Sequence, residues 1–255
     1  MLTKLFKRKE PKVEFVSLLP EVAQIMPIEE SKNVKYKWWA DAVADYKKQR
    51  QDEPKLHRKF SHVTRCPGIS NIARRGWIQR AWQDISIKTR GDGRFDWLTP
   101  IDQRTVDCDH DWQWPYVGYH PESLYGKFID DKRSLKTILK IQSPWMVYIP
   151  KGYYLMSMPI PYPDRFEFTA STGLLDPDYG PNFLNVQMSW HELDGEVHIP
   201  AGTPLCQYIL IKKDDIKGTV RGYEQKDIDN LRVRANTMDN RWIANYNPLK
   251  NVKWK

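Results

Sequence analysis

The side chains best suited to chemistry in this sequence lie between residues 173 and 211. The stretch GLLDPDYGPNFLNVQMSW, Gly173–Trp190, places two carboxylates and Tyr179 between apolar residues. After a short polar break, VHIPAGTPLCQYILI, Val197–Ile211, has the pattern of a strand, a Pro-Ala-Gly turn and a second strand. Two interpretations fit this pattern: a nucleotide pocket, or the turns of a compact β-fold that binds nothing small.

Two motifs in this region resemble neighbouring motifs of the deoxyuridine triphosphatase (dUTPase) and deoxycytidine triphosphate deaminase superfamily. Gly173, Asp176 and Tyr179 in STGLLDPDYGPNF match the first motif, and Gly202 and Gln207 in IPAGTPLCQYI match the second. The resemblance implies that Asp176 orients or deprotonates the attacking water, that Tyr179 stacks under the deoxyribose and that Gln207 binds phosphate. It also implies a dUTPase-like β-clip barrel.

The resemblance covers roughly residues 145–213 and fades before them, where only Gln83–Ile85 looks like the superfamily's early Asp-Leu pair. Where the superfamily has the phosphate-binding Pro-Arg-Ser-Ser, Met158–Pro161 carry no hydroxyl and no guanidinium. Arg221 is followed by GYEQKDID instead of a glycine-rich clamp. Because a triphosphate needs several directed donors, these departures predict a scaffold without a Mg²⁺-triphosphate pocket.

Each matched residue also has a structural explanation. Asp176 can bond to the backbone of its own turn, Gly180 and Gly202 can supply positive φ angles, and Gln207 can cap a strand edge. We therefore expect no catalytic residues. If the protein is instead a Mg²⁺-dependent deoxynucleoside triphosphate hydrolase or deaminase, Asp176, Tyr179 and Gln207 are its catalytic residues.

A metal site is a further hypothesis. DCDHDWQWPYVGYH gathers acidic and histidine side chains, among which Asp109, His110 and His120 are candidate ligands for zinc or iron. A cupin-like metal-binding protein is the second alternative, with His191 and His198 as ligands on neighbouring strands. Cupin-like sites use a His-x-His pair, and the spacing of these two histidines is longer. The expectation is therefore no metal and no cofactor.

Composition restricts the partners and the compartment. The formal net charge is +8, but the basic residues are scattered along the chain, so nucleic acid is not the expected partner. Three distant cysteines without a CxxC pair predict a reducing compartment. No apolar run of membrane-spanning length is present, so the expected location is a virion or the host cytoplasm.

Changes in pattern divide the chain into three zones. Residues 1–59 are punctuated by prolines and predict an extended arm with one helix near Tyr36–Gln51. Residues 60–213 predict a mainly β body, a barrel or sandwich, and residues 214–255 a helical segment and a tail. The strands are expected in GWIQRAWQDISIKT, RFDWLTP, WPYVGYH, PWMVYIPKGYYLMSMPIP, RFEFTAS, FLNVQMSW, EVHIP and PLCQYILIKK.

The last zone carries an apolar stripe with heptad spacing. This stripe either docks on the β body or packs against copies of itself in an oligomer. Together with two tryptophans of the first zone it supplies the candidate interface. The interface residues are Trp38, Trp39, Ile228, Leu231, Met238 and Trp242, and Ala235 also belongs to the stripe.

An arm, a β-clip body without phosphate ligands and a striped helix favour a protein that locks into its neighbours. The sequence as a whole resembles proteins of unassigned function that tailed bacteriophages of marine bacteria encode, and this resemblance implies a virion component. We therefore predict a non-enzymatic structural or assembly protein of a bacteriophage virion, in head decoration or the neck. Its expected partners are copies of itself, for which a trimer is one arrangement, and other virion proteins.

Overall fold

The computed structural model describes residues 12–52, 62–101, 103–106, 112–125, 127, 132–178 and 182–233. Within them the chain is mainly β, as predicted. The strands are β1 Glu14–Ser17, β2 Glu29–Glu30, β3 Trp77–Arg80, β4 Ile85–Arg90, β5 Phe95–Leu98, β6 Gln103–Val106, β7 Trp112–Pro115, β8 Val117–His120, β9 Ile138–Ile141, β10 Trp145–Tyr148, β11 Tyr153–Met158, β12 Phe168–Ala170, β13 Gly173–Leu175, β14 Val186–Trp190, β15 Asp194–Ile199 and β16 Pro204–Lys212. The α-helices are α1 Pro20–Ile25, α2 Lys37–Asp52, α3 Pro67–Ala73 and α4 Glu122–Tyr125.

The strand pairs within these residues are antiparallel. A five-stranded sheet has the order β13-β11-β16-β3-β2, a four-stranded sheet the order β12-β14-β9-β8, and a three-stranded sheet the order β15-β4-β5. Two smaller sheets pair β1 with β10 and β6 with β7. Each predicted strand segment overlaps at least one of these strands.

The core forms where the apolar faces of these strands are buried. In the four-stranded sheet, Tyr119, Leu139, Met188 and Ala170 occupy successive positions of one row, and the last three are buried. In the three-stranded sheet, β4 buries alternate residues and exposes the others, which is the pattern of a strand with one face in the core. The ring of Phe95 on β5 meets Tyr119 edge-to-face, with 6.0 Å between the ring centroids.

A glycine and an arginine fix the central strands. Gly76, just before β3, has φ +74°, and a Cβ atom there would lie 1.8 Å from the carbonyl oxygen of Tyr208 on β16. Arg80, at the end of β3, donates from Nε to Glu29 at 2.6 Å and from Nη1 to the carbonyl of Gly202 at 2.6 Å. The turn before β16 is thereby tied to both β2 and β3.

The first zone contributes strands to the same body. β1 pairs with β10, and β2 extends the five-stranded sheet through β3. The sequence did not predict α1, which begins at Pro20 and buries Val22. The predicted helix near Tyr36–Gln51 is confirmed as α2.

The described residues belong to two compact units. The first lies within Met1–Val34 and Ala73–Asp214 and holds the large sheets. The second lies within Lys35–Ile72 and Asp215–Lys255. In the second unit the ring of His62 packs on Tyr46 of α2, with 5.2 Å between the ring centroids.

Candidate functional site

Asp176, the catalytic base under the enzymatic alternative, is held in an ion pair. It follows β13, and its carboxylate accepts a hydrogen bond from Nζ of Lys213 at 2.6 Å. Both side chains are about four-fifths buried, with 20% of Lys213 and 22% of Asp176 exposed. The hydrogen bond to Asp176 raises the pKa of Lys213. The other carboxylate oxygen caps its own turn by accepting from the backbone N–H of Asp178 at 3.2 Å.

Lys213 joins three groups around this turn. Its ammonium also lies 3.4 Å from a carboxylate oxygen of Asp178 and 4.7 Å from the centre of the Tyr154 ring. Tyr154 is on β11, and Lys213 directly follows β16. The lysine therefore connects the end of β13 to β11 and β16, the next two strands of the sheet, which is a structural arrangement.

Gln207, which would bind phosphate under the enzymatic alternative, lies inside the body. It is the fourth residue of β16 and is fully buried. Its side-chain Nε2 donates to the backbone carbonyl of Arg75. This is a core hydrogen bond between a strand and the segment that precedes β3.

The register of β11 separates the two predicted pocket residues. Leu155 faces Leu175, the residue before Asp176, whereas Met158 faces Gln207. Asp176 is therefore level with Tyr154, four residues before Met158. At a rise of about 3.3 Å per residue, Asp176 and Gln207 are about 13 Å apart along β11. The structure therefore does not bring Asp176 and Gln207 to one point within this chain. Tyr179 lies outside the described residues.

The segment that replaces the superfamily's phosphate-binding motif presents no charged side chain. Ile160 is buried, and the exposed Tyr162 that follows has φ +54° between two prolines. Arg165 is the next cation along the chain, and it binds Glu167 at 2.8 Å and the carbonyl of His198 at 2.8 Å. The hydrogen bond from Arg165 lowers the pKa of Glu167.

His120, His191 and His198 are the candidate metal ligands that the structure describes. Asp109 and His110 lie outside the described residues. His191 contacts the Thr169 hydroxyl with Nε2 at 2.7 Å and Ser134 with Nδ1 at 2.9 Å. Among the described residues, no three His, Cys, Asp or Glu side chains are grouped closely enough to hold a metal ion.

Two other histidines have distinct surroundings. Nδ1 of His198 lies 3.2 Å from the hydroxyl of Ser86 on the neighbouring strand β4. His120 packs on the ring of Tyr125, with 5.4 Å between the ring centroids. Desolvation and the nearby Lys140 lower the pKa of His120.

Nucleophilic chemistry has little support at Cys206. The thiol is buried in β16, and desolvation raises its pKa to about 12. A nucleophilic cysteine needs a thiolate at neutral pH, which burial prevents here.

The candidate interface residues that the structure describes lie in helices of the second unit. Trp38 and Trp39 are half-buried in α2, and their rings meet edge-to-face at 5.4 Å. Residues 225–233 are helical, with Ile228 half-buried and Leu231 exposed. Met238 and Trp242 lie outside the described residues.

Sequence reasoning missed an extended segment between β16 and this helix. Residues 213–224 have neither helical nor strand structure. Ile216 is 87% exposed, Tyr223 is 79% exposed and Val220 is fully exposed. We call residues 215–223 the apolar arm. Its alternation of apolar or small residues with polar ones from Ile216 to Gly222 is the signal that could have revealed it.

Within the described ranges, no helix combines the length and the apolar character needed to cross a bilayer. A scan against protein-family models gives no match for this chain, and a search of curated proteins gives no significant relative.

Proposed function

We propose that this protein is a non-enzymatic structural or assembly protein that binds its neighbours through exposed apolar side chains. The apolar arm is the observation that carries the proposal. This extended segment exposes three large apolar side chains to solvent. Their burial against a partner protein would be favourable in free energy.

The contacts of the predicted pocket residues favour this function over deoxynucleotide hydrolysis. A base that activates water must reach that water, and the carboxylate of Asp176 is bound by Lys213 at 2.6 Å. Gln207 is fully buried, and its amide nitrogen donates a hydrogen bond to the backbone carbonyl of Arg75. Neither side chain is available to a triphosphate in this arrangement.

The proposal extends to the setting of the protein. The resemblance to proteins of tailed bacteriophages supports a place in the virion, in head decoration or the neck. The resemblance to dUTPase-like motifs supports a β-clip scaffold that is used for protein–protein contacts. An oligomer of this chain, such as a trimer, and other virion proteins are the proposed partners.

The test has two parts. Mass-spectrometric inventory of purified particles should contain the chain, and size-exclusion chromatography with light scattering should show an oligomer. A strict monomer that is missing from particles would contradict the proposal. Release of pyrophosphate from any common deoxynucleoside triphosphate with Mg²⁺, lost in Asp176→Ala, would establish the enzymatic alternative instead.

Variants connect the arm to assembly. Replacing Ile216, Val220 and Tyr223 by serine should reduce association, because it removes the apolar area that binding would bury. The control is Ile25→Ser with Leu98→Ser, which changes apolar residues elsewhere that are 69% and 74% exposed. Equal loss of association in both sets would show that the arm has no special role.

A further inference from the structure

The outer edge of the three-stranded sheet lacks a strand partner. Within the described residues, β15 pairs with β4 on one side only. The carbonyl of His198 accepts from Arg165, so it points away from β4. Because alternate residues of an antiparallel strand direct their backbone groups to the same side, the N–H and C=O groups of Asp194 and Glu196 also face this edge.

The exposed side chains of this edge are acidic. Asp194 lies opposite Arg90 in the register, but the Arg90 guanidinium binds Asp96 on β5 instead. Asp194 therefore has no ion-pair partner in the part of the chain that the structure describes. Glu196 is 3.8 Å from Lys88, and both side chains are more than half exposed, so this pair is weak.

The apolar arm has the complementary pattern. In DIKGTVRG, residues 215–222, apolar or glycine positions alternate with polar ones, so an extended backbone places Ile216 and Val220 on one face and Lys217 on the other. Lys217 is exposed and has no ion-pair partner among the described residues. The alternation is that of a strand with one buried face.

We propose that the arm of one copy adds to β15 of a second copy as an antiparallel strand, with Lys217 opposite Glu196. The inference rests on the assembly function proposed above and names its contact surface. In this register Ile216 faces Val197, Gly218 faces Gly195 and Thr219 faces Asp194. The apolar positions of the arm then extend the core-facing side of the sheet, and its lysine meets the acidic side.

The charges of β15 explain why this strand is selective. Exposed charged residues on an edge strand normally oppose pairing with other strands. Asp194 and Glu196 disfavour a neutral or acidic strand, whereas a strand with a lysine at the matching position compensates them. The edge therefore admits the arm and rejects other chains.

A charge exchange tests the contact in the full-length protein. Sedimentation equilibrium should show that Glu196→Lys and Lys217→Glu each weaken association by up to about fivefold, which corresponds to the upper end of the contribution of one exposed charge pair. The double variant should recover the wild-type association constant. Thermal unfolding of each variant checks its fold, and Lys217→Glu alters an exposed residue that supports no ion pair, so its effect reports on association.

Each outcome decides the inference. Weakening in both single variants with recovery in the double variant supports it. If the wild-type protein associates and the single variants associate equally well, or if the double variant does not recover, this docking is overturned while the assembly function stands. A wild-type monomer at every concentration also overturns it, and the inventory of purified particles then decides the assembly function separately.

Discussion

The ammonium of Lys213 lies 2.6 Å from a carboxylate oxygen of Asp176, 37 residues earlier in the chain. The pair joins the end of β16 to the turn after β13, where only about a fifth of either side chain is exposed. A carboxylate in this position stabilises a turn and is not available as a base. This relationship therefore has consequences for stability that can be measured.

A double-mutant cycle measures the coupling of this pair. With Lys213→Met and Asp176→Asn, we expect a favourable coupling in the free energy of unfolding that exceeds that of a fully exposed pair, because only about a fifth of either side chain is exposed and solvent screens the pair less. Urea unfolding provides the values. The matched control is Lys12 and Glu14, 3.6 Å apart and more than half exposed, whose coupling should be near zero. Equal couplings in the two cycles would contradict the structural role.

Gly76 should tolerate no side chain. In Gly76→Ala the new Cβ collides with the carbonyl oxygen of Tyr208, so β3 and β16 must separate. We expect a loss of at least about 3 kcal/mol in the free energy of unfolding. Gly93→Ala is the control, since Gly93 has a similar φ of +78° but nothing within 4 Å of the added atom. It should lose only about 1 kcal/mol, and an equal loss at both positions would be unexpected.

Arg80 should not be replaceable by lysine. Its guanidinium bonds Glu29 and the carbonyl of Gly202 from two different nitrogens, and a single ammonium cannot reproduce that fork. Thermal or urea unfolding of Arg80→Lys should show a loss of about 1 kcal/mol. Arg94→Lys, at a residue that is 85% exposed, should be neutral. A neutral Arg80→Lys would mean that one of the two bonds contributes nothing.

His120 should make the stability depend on pH. Its pKa is lowered in the folded protein, first by desolvation and then by Lys140, so the unfolded chain binds more protons as the pH falls. The contribution of His120 is therefore present above the ordinary histidine pKa of about 6.5 and is lost as the pH falls through it. Denaturant unfolding between pH 7.5 and about 5 measures the slope. In His120→Phe, which keeps a ring against Tyr125, the slope should be smaller; an unchanged slope would assign it to other groups.

Periodicity predicted the strands because each has one face in the core. The apolar and polar alternation of β4 and β14 is visible in the sequence and is matched by their burial. The length of α2 was also predictable from its helical spacing. These elements depend on local pattern, which one sequence contains.

Contacts between distant residues could not be predicted in the same way. Nothing local indicates that Lys213 reaches Asp176, because the pair forms between the ends of β16 and β13, which lie on either side of β11 in the sheet. Gln207 did carry a signal, since an amide inside the apolar run PLCQYILI is typical of a buried hydrogen-bonded group. The sequence predicted the apolar arm as part of a helical zone, because its charged residues are similar to those of the helix that follows it.

The pairing of β1 with β10, and of β3 with β16, sets the order of events during synthesis. After Glu14–Ser17 leave the ribosome, the chain must be synthesised as far as Tyr148 before β1 can pair fully with β10. All of β16, which ends at Lys212, follows before the pairing of β3 with β16 is complete. Such distant contacts slow folding, and the waiting strands expose apolar surface to other nascent chains. Weak expression keeps the concentration of such incomplete chains low and should therefore give a larger soluble fraction of the protein than a strong promoter would.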